Sequence, residues 1–191
     1  HSGLRFGSGA VVPRYDGADV DADINLGNSS YRFEDLYLSG GVYLGGTVAA
    51  NHLQDYEEGT FTPSAEFSSS NPTAGATTGS GRYTKIGNIC HAFVTLVNIN
   101  RTGASGDFRI TGLPFASDLD SNMVSFPNSN IFSNNLIVSS SCYQLTPEVA
   151  DGQDFISIRE LIDDAIADNI NSNNVNDGVT DIRVGITYKT A

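Results

Sequence analysis

The chain has 191 residues, 39% of them hydrophobic and 20 of them glycine, with a formal net charge of −12. That length allows one or two domains, and abundant glycine with only 17% charged residues points to turns and β-structure over helix bundles. The acidity argues against nucleic acid and against docking on an anionic membrane, and no 18-residue apolar run is present to span one.

The chain opens at His1 rather than Met, which reads as a piece of a longer polypeptide. Residues 1–50 behave as one unit. Short apolar bits (Leu4-Arg-Phe6, Ala10-Val-Val12, Ile24-Asn-Leu26, Leu36-Tyr-Leu38, Val42-Tyr-Leu44) alternate with Gly, Ser and Asp turns, without a strict period. Such strands are too short to complete a sheet alone, since three or more strands with a common apolar face are needed for stability. Leu36, Leu38, Val42 and Leu44 therefore need burial against something outside their own segment, most simply another copy of the chain. Within this unit, Asp16-Gly-Ala-Asp19-Val-Asp21-Ala-Asp23 is the strongest metal candidate. In an extended strand Asp19, Asp21 and Asp23 would share one face, and carboxylate oxygens suit a structural Ca2+. An EF-hand loop is excluded, because Ile24 stands where Gly is needed and Ser30 where Glu is needed. The bland alternative is a solvated acidic turn.

Residues 51–59 form an acidic junction with room for a short helical turn. From Thr60 to Ala191 the chain reads as a β-domain, with strands expected at 60–67, 82–86, 89–100, 107–113, 123–126, 136–145, 154–159 and 181–189. The clearest is Ile89–Asn100, apolar on both faces and so expected to be covered on both sides, one of them by the core and the other by a neighbouring subunit. Ser68–Gly81 is low-complexity and polar and reads as an exposed, mobile loop. Ser157 and Glu160 have capping-box spacing, and Leu161, Ile162, Ala165, Ile166 and Ile170 recur at helical intervals, so a short helix is expected near 160–170 after a strand ending at about Arg159. Cys90 and Cys142 are open to two readings, buried free thiols or one disulfide.

Leu26-Gly, Arg32-Phe33, Asp35-Leu-Tyr-Leu-Ser-Gly-Gly-Val-Tyr-Leu-Gly-Gly46 and Asp55-Tyr-Glu-Glu-Gly-Thr-Phe-Thr-Pro63 resemble the distal part of tail fibres of tailed bacteriophages, especially marine ones. Tyr83–Asn88, Ile110–Phe115 and Ile182–Tyr188 fit the same resemblance. It implies an all-β, homotrimeric receptor-binding protein of the virion tail: a short intertwined shaft or neck over 1–50, the junction 51–59, and a jelly-roll-like antiparallel β-sandwich head over 60–191. Made in a host cytoplasm, it would act outside the cell.

No catalytic constellation stands out. Carboxylate pairs can be drawn among Asp55, Glu57, Glu58, Asp118, Asp120, Asp163 and Asp164, but 22 acidic residues produce pairs by chance. His1, His52 and His91 are scattered, and no nucleophile elbow or phosphate loop appears. The chain therefore reads as a non-enzyme that needs no cofactor. Binding leaves a different trace: polar, aromatic-dotted loops on a rigid scaffold. Segments 101–106, 118–122, 127–130, 133–135 and 171–177 are rich in Asn, Ser and Asp, which can hydrogen-bond sugar hydroxyls. Asp120, Asn128, Asn130 and Asn134, with Phe132 and Tyr143 for stacking, are the candidate contacts to a host surface receptor, read as a polysaccharide. The rival readings are a purely structural trimerisation connector and a polysaccharide-degrading tailspike.

Overall fold

The computed structural model describes residues 2–119, 130–163 and 166–191, and the chain divides into two units, 1–40 and 41–191. In the first, β1 (Ser2–Phe6), β2 (Val11–Tyr15) and β3 (Ala18–Asp19) form a three-stranded antiparallel sheet with no buried residue. Leu4, Phe6, Leu26, Tyr31, Phe33, Leu36, Tyr37 and Leu38 are all more than half exposed.

The second unit begins with a small ladder of β4 (Val42–Tyr43) and β5 (His52–Leu53), closed by a 3-10 turn at Ala49–Asn51 and a stacked Tyr43–His52 ring pair at 4.4 Å. The sandwich follows, built from β6 (Tyr56–Phe61), β7 (Ser64–Phe67), β8 (Thr77–Thr78), β9 (Ser80–Ile86), β10 (Ile89–Ile99), β11 (Phe108–Thr111), β12 (Asn130–Asn134), β13 (Cys142–Glu148), β14 (Ile156–Ile162), β15 (Asp168–Asn169) and β16 (Thr180–Lys189). One sheet runs β12-β16-β10-β9-β6. The other runs β13-β14-β11-β7-β8, with β15 also paired to β14, and every pairing is antiparallel. The expected all-β sandwich is the observed class.

A single core lies between the sheets. Cys90, Ala92, Val94 and Leu96 of β10 and Ile182, Val184, Ile186 and Tyr188 of β16 meet Ala65 and Phe67, Phe108 and Ile110, and Ile156 and Ile158 from the facing sheet. The Tyr188 hydroxyl, buried among them, donates to the Phe115 carbonyl at 3.1 Å. Both cysteines are free thiols, Cys90 fully buried and Cys142 half-buried; burial pushes the Cys90 thiol above its usual range.

Several elements depart from the sequence reading for identifiable reasons. The run expected as one strand over 60–67 is two strands in different sheets, because Pro63 has no N–H to continue a ladder and the chain crosses the sandwich there. Strict alternation puts Ile99 outward with Phe93. Instead, one extra residue bulges β10 between Leu96 and Ile99, Asn98 takes φ +53°, and Ile99 turns into the core. The helix expected near 160–170 is absent among the described residues. Ile156, Ile158 and Glu160 face inward with period two, and β14 finds partners on both edges: β13 on one, β11 and β15 on the other. The supposed helical stripe is split, with Ile166 at the surface and Ile170 in the core. The strand expected over 136–145 is displaced: β12 ends before Asn135 at φ +56°, and β13 begins at Cys142 after a turn. The strand expected at 123–126 lies outside the described residues. Ser68–Gly81 is not a free loop, being tied to residues 102–105 through Ser70, Ser105 and Thr73. Finally, among the described residues β10 is covered on its core side only; Phe93 and Val97 on its other face are exposed.

Candidate functional site

The chain enters the sandwich at Asp55, whose carbonyl accepts the Gly87 N–H beside the β9–β10 turn. That turn is a two-residue connection opened by Gly87 at φ +59°. β10 then carries the chain to the opposite end, roughly 35 Å away for its eleven residues. At that far end three of the polar segments singled out from the sequence, 101–106, 133–135 and 171–177, come together, whereas 118–122 begins at the entry end, where the Asp118 N–H donates to the Lys189 carbonyl. Asp177 accepts the backbone N–H groups of Arg101 at 2.6 Å and Thr102 at 3.1 Å and the Thr102 hydroxyl at 2.6 Å. These bonds, the Arg101 N–H foremost and then the Thr102 hydroxyl, hold its carboxyl below the ordinary carboxylate range. Ser172 donates its N–H to the Gly106 carbonyl, tying the same loops again.

Loop 135–139 joins from the other side. Ile137 and Asn174 exchange bonds: the Ile137 N–H to the Asn174 carbonyl at 2.7 Å, and the Asn174 side-chain amide to the Ile137 carbonyl at 2.7 Å. Glu160 closes the collar from beneath. Only 5% exposed, it accepts the Ser139 N–H at 3.1 Å and the Asn174 amide at 3.0 Å. Asn171 caps the turn Ser172–Asn174 in reciprocal fashion with Asn174. The result is a depression of about 360 Å3 lined by Ile137, Val138, Ser139, Glu160, Ile162, Asp168, Asn169, Asn171, Asn173 and Asn174. The Ser139 hydroxyl is buried there and, among the described residues, unpaired. Beside it, Ser140, Ser141, Cys142, Tyr143 and Asp163 form a second hollow, with Tyr143 68% exposed at its rim. Amides, hydroxyls and one open aromatic face make a surface able to hydrogen-bond and stack on a polyhydroxylated ligand. Among the charged groups here, Asp107, Glu160, Asp163, Asp168 and Asp177 outnumber Arg101 and Arg159, so the collar is net acidic.

Of the residues named from the sequence, Asn130, Phe132 and Asn134 share the outward face of β12, an edge strand rather than a loop, with Phe132 under the Arg183 guanidinium at 5.3 Å from its ring. Asn134 reaches the collar end and Tyr143 stands at its rim, whereas Asp120 and Asn128 lie outside the described residues. Sequence reading missed Glu160, taken for a helix cap, and Ser139; nothing local marks either one, because the bonds that join them to each other and to Asn174 span 21 and 14 positions. Asp19, Asp21 and Asp23 are not brought together. β3 stops at Asp19, whose carboxylate is gripped by Arg5 at 2.6 and 3.0 Å and by Arg14 at 3.2 Å, and no group of three metal-ligating side chains occurs among the described residues. Those arginines, the Arg5 hydrogen bond first, hold the Asp19 carboxyl below its usual range. Leu36 and Leu38 lie in irregular chain, Val42 is half-buried in β4, and Leu44 follows it exposed. Of the acidic pairs, Asp55 bonds Lys85, Glu57 bonds the Tyr83 hydroxyl and Glu58 bonds the Tyr56 hydroxyl at 2.9 Å. Asp118 pairs with Lys189 at 2.7 Å.

The second unit is thus an antiparallel β-sandwich that presents a polar loop collar at one end. No family model and no curated protein sequence matches the chain. Among solved structures it is similar to the crystal structure of Dettilon tailspike protein, at 17% identity and a TM-score of 0.52. The similarity covers 71% of this chain but only 24% of that one, and it concerns the fold.

Proposed function

We propose that the chain is the receptor-binding tip of a phage tail fibre, a homotrimer that adheres to a polysaccharide on the host surface and does no chemistry on it. The observation that carries this reading is the gathering of Asn- and Ser-rich loops around one depression, at the end of a rigid sandwich farthest from where the chain enters it. A fibre tip needs that arrangement, and loops on a rigid scaffold are where recognition concentrates. Trimerisation accounts for the uncovered apolar side chains of residues 1–50, and three weak sites on one body gain avidity by multivalency. The likeness of fold to a tailspike protein agrees with a place in a virion tail.

The test is adsorption of the purified chain to host cells and to extracted host polysaccharide. Tyr143→Ala and Asn173→Ala should each weaken binding about tenfold or more, the loss that about 1.4 kcal/mol produces. Unchanged adsorption in both would favour a purely structural connector. The tailspike likeness supports one other reading, polysaccharide cleavage. Turnover of host polysaccharide that is lost on replacing an acidic pair would establish it in place of adhesion.

A further inference from the structure

We infer that the outer face of the β6–β9–β10 half of the five-stranded sheet is the surface on which a second copy of this chain packs, leaving the collar free for receptor. This rests on the homo-oligomeric reading above and adds where the heads meet. On this face Tyr56, Ile86, Phe93 and Val97 stand exposed, between 44% and 57% each. Tyr56 and Ile86 are cross-strand partners at one end of the face, and Phe93 and Val97 follow along β10 with Thr84, His91 and Arg82 between, so apolar positions recur along the whole face. A groove of about 400 Å3 runs beside Phe93, floored by Thr60, Arg82 and Thr84. On its other side Phe93 lies across the sheet from Gly185, where a Cβ would stand 3.3 Å from the Phe93 ring, so the ring occupies space that a side chain at 185 would need.

Charge decides the occupant. A chain carrying 22 acidic against 10 basic residues repels its own copies almost everywhere. On this half Glu58 stands against Arg82, and on adjoining β16 Asp181 and Arg183 face outward with Lys189, which pairs with Asp118; neither arginine has a carboxylate partner among the described residues. Glu58 and Arg82 sit on neighbouring strands one step apart on the diagonal, so a rotated copy can present each to the other's opposite. The outer face of the other sheet is balanced too, Glu66 and Glu148 against Arg109 and Arg159, but β7, β11 and β14 show no exposed large apolar side chain there. Apolar exposure and charge balance coincide on the β6–β9–β10 face, and the net-acidic collar lacks that balance. A glycan would instead favour the collar, with its amides and hydroxyls.

The chain contains no tryptophan, so Phe93→Trp installs a unique reporter; Ile86→Trp repeats the measurement at a second position in case the first substitution perturbs packing. In the assembled chain each tryptophan should emit blue-shifted and resist acrylamide. Dissociation by dilution, or by Leu38→Asp with Leu44→Asp, should shift emission red and raise quenching several-fold. An oligomer of the expected mass with both tryptophans open to quencher overturns this packing face and leaves the adhesin reading intact. A folded monomer overturns both. Shielding that appears only on adding host polysaccharide overturns the second-copy assignment and gives the face to the glycan.

Discussion

Asn98 shows how a single residue sets the boundary of the core. Its positive φ makes the bulge that returns Ile99 to the interior, and its N–H donates to the Asp181 carboxylate at 3.0 Å. Asn tolerates this conformation and a β-branched residue does not. Asn98→Val should therefore destabilise the chain by about 1–2 kcal/mol, while Asn98→Gly should leave it nearly unchanged, as urea melts of the two variants can check. Asp177 acts at the same scale with a pH dependence of known sign. Its pKa is depressed in the folded state, so what it contributes is present above the unfolded carboxylate value near 3.9 and is lost as pH falls through the lower folded value. Protection of the Arg101 and Thr102 amides, their exchange relative to the intrinsic base-catalysed rate, should be high at pH 7 and decline as the solution is acidified below about pH 4. Asp177→Asn should show little protection throughout. Equal protection in both proteins at pH 7 would show the carboxylate does not pin the loop.

At the scale of elements, legibility followed locality. The strand Ile182–Tyr188 alternates cleanly and sits where its pattern puts it, because its polar positions face outward and its apolar ones face the core. The segment after Ser157 was opaque, because capping-box spacing and an i, i+4 stripe are local signals while β14 is held by partners on three other strands. Glu160 is the sharpest case. Its role depends on Ser139 and Asn174, 21 and 14 positions away, which no window reading could bring together. Replacing Glu160 with Ala leaves a backbone N–H and an amide without their acceptor in a buried place, a cost of about 1–3 kcal/mol. The expected result is a lowered thermal midpoint together with weaker polysaccharide adsorption, since the depression loses its floor; a stable variant with intact adsorption would remove Glu160 from the site. The loop collar is half legible: composition marks 101–106, 133–135 and 171–177 as polar, but residues 137–139, expected in a strand, also line the depression, and which segments meet at one end is a property of strand order, which composition does not carry.

For the whole molecule, the two parts make opposite demands. Among the described residues the sandwich buries nineteen apolar side chains in one core, whereas Leu36, Leu38 and Leu44 remain 53–65% exposed, with Phe6, Tyr31, Phe33 and Tyr37 exposed further still. Exposed apolar surface on that scale marks an interaction site, which the proposed trimer would cover. Three chains together would carry a charge of roughly −36, so association should strengthen as salt screens their repulsion. Mass by sedimentation equilibrium across a salt series addresses this directly. The account predicts a single species at three times 20.3 kDa at physiological and higher ionic strength; a folded, monodisperse species of 20.3 kDa under the same conditions would contradict it.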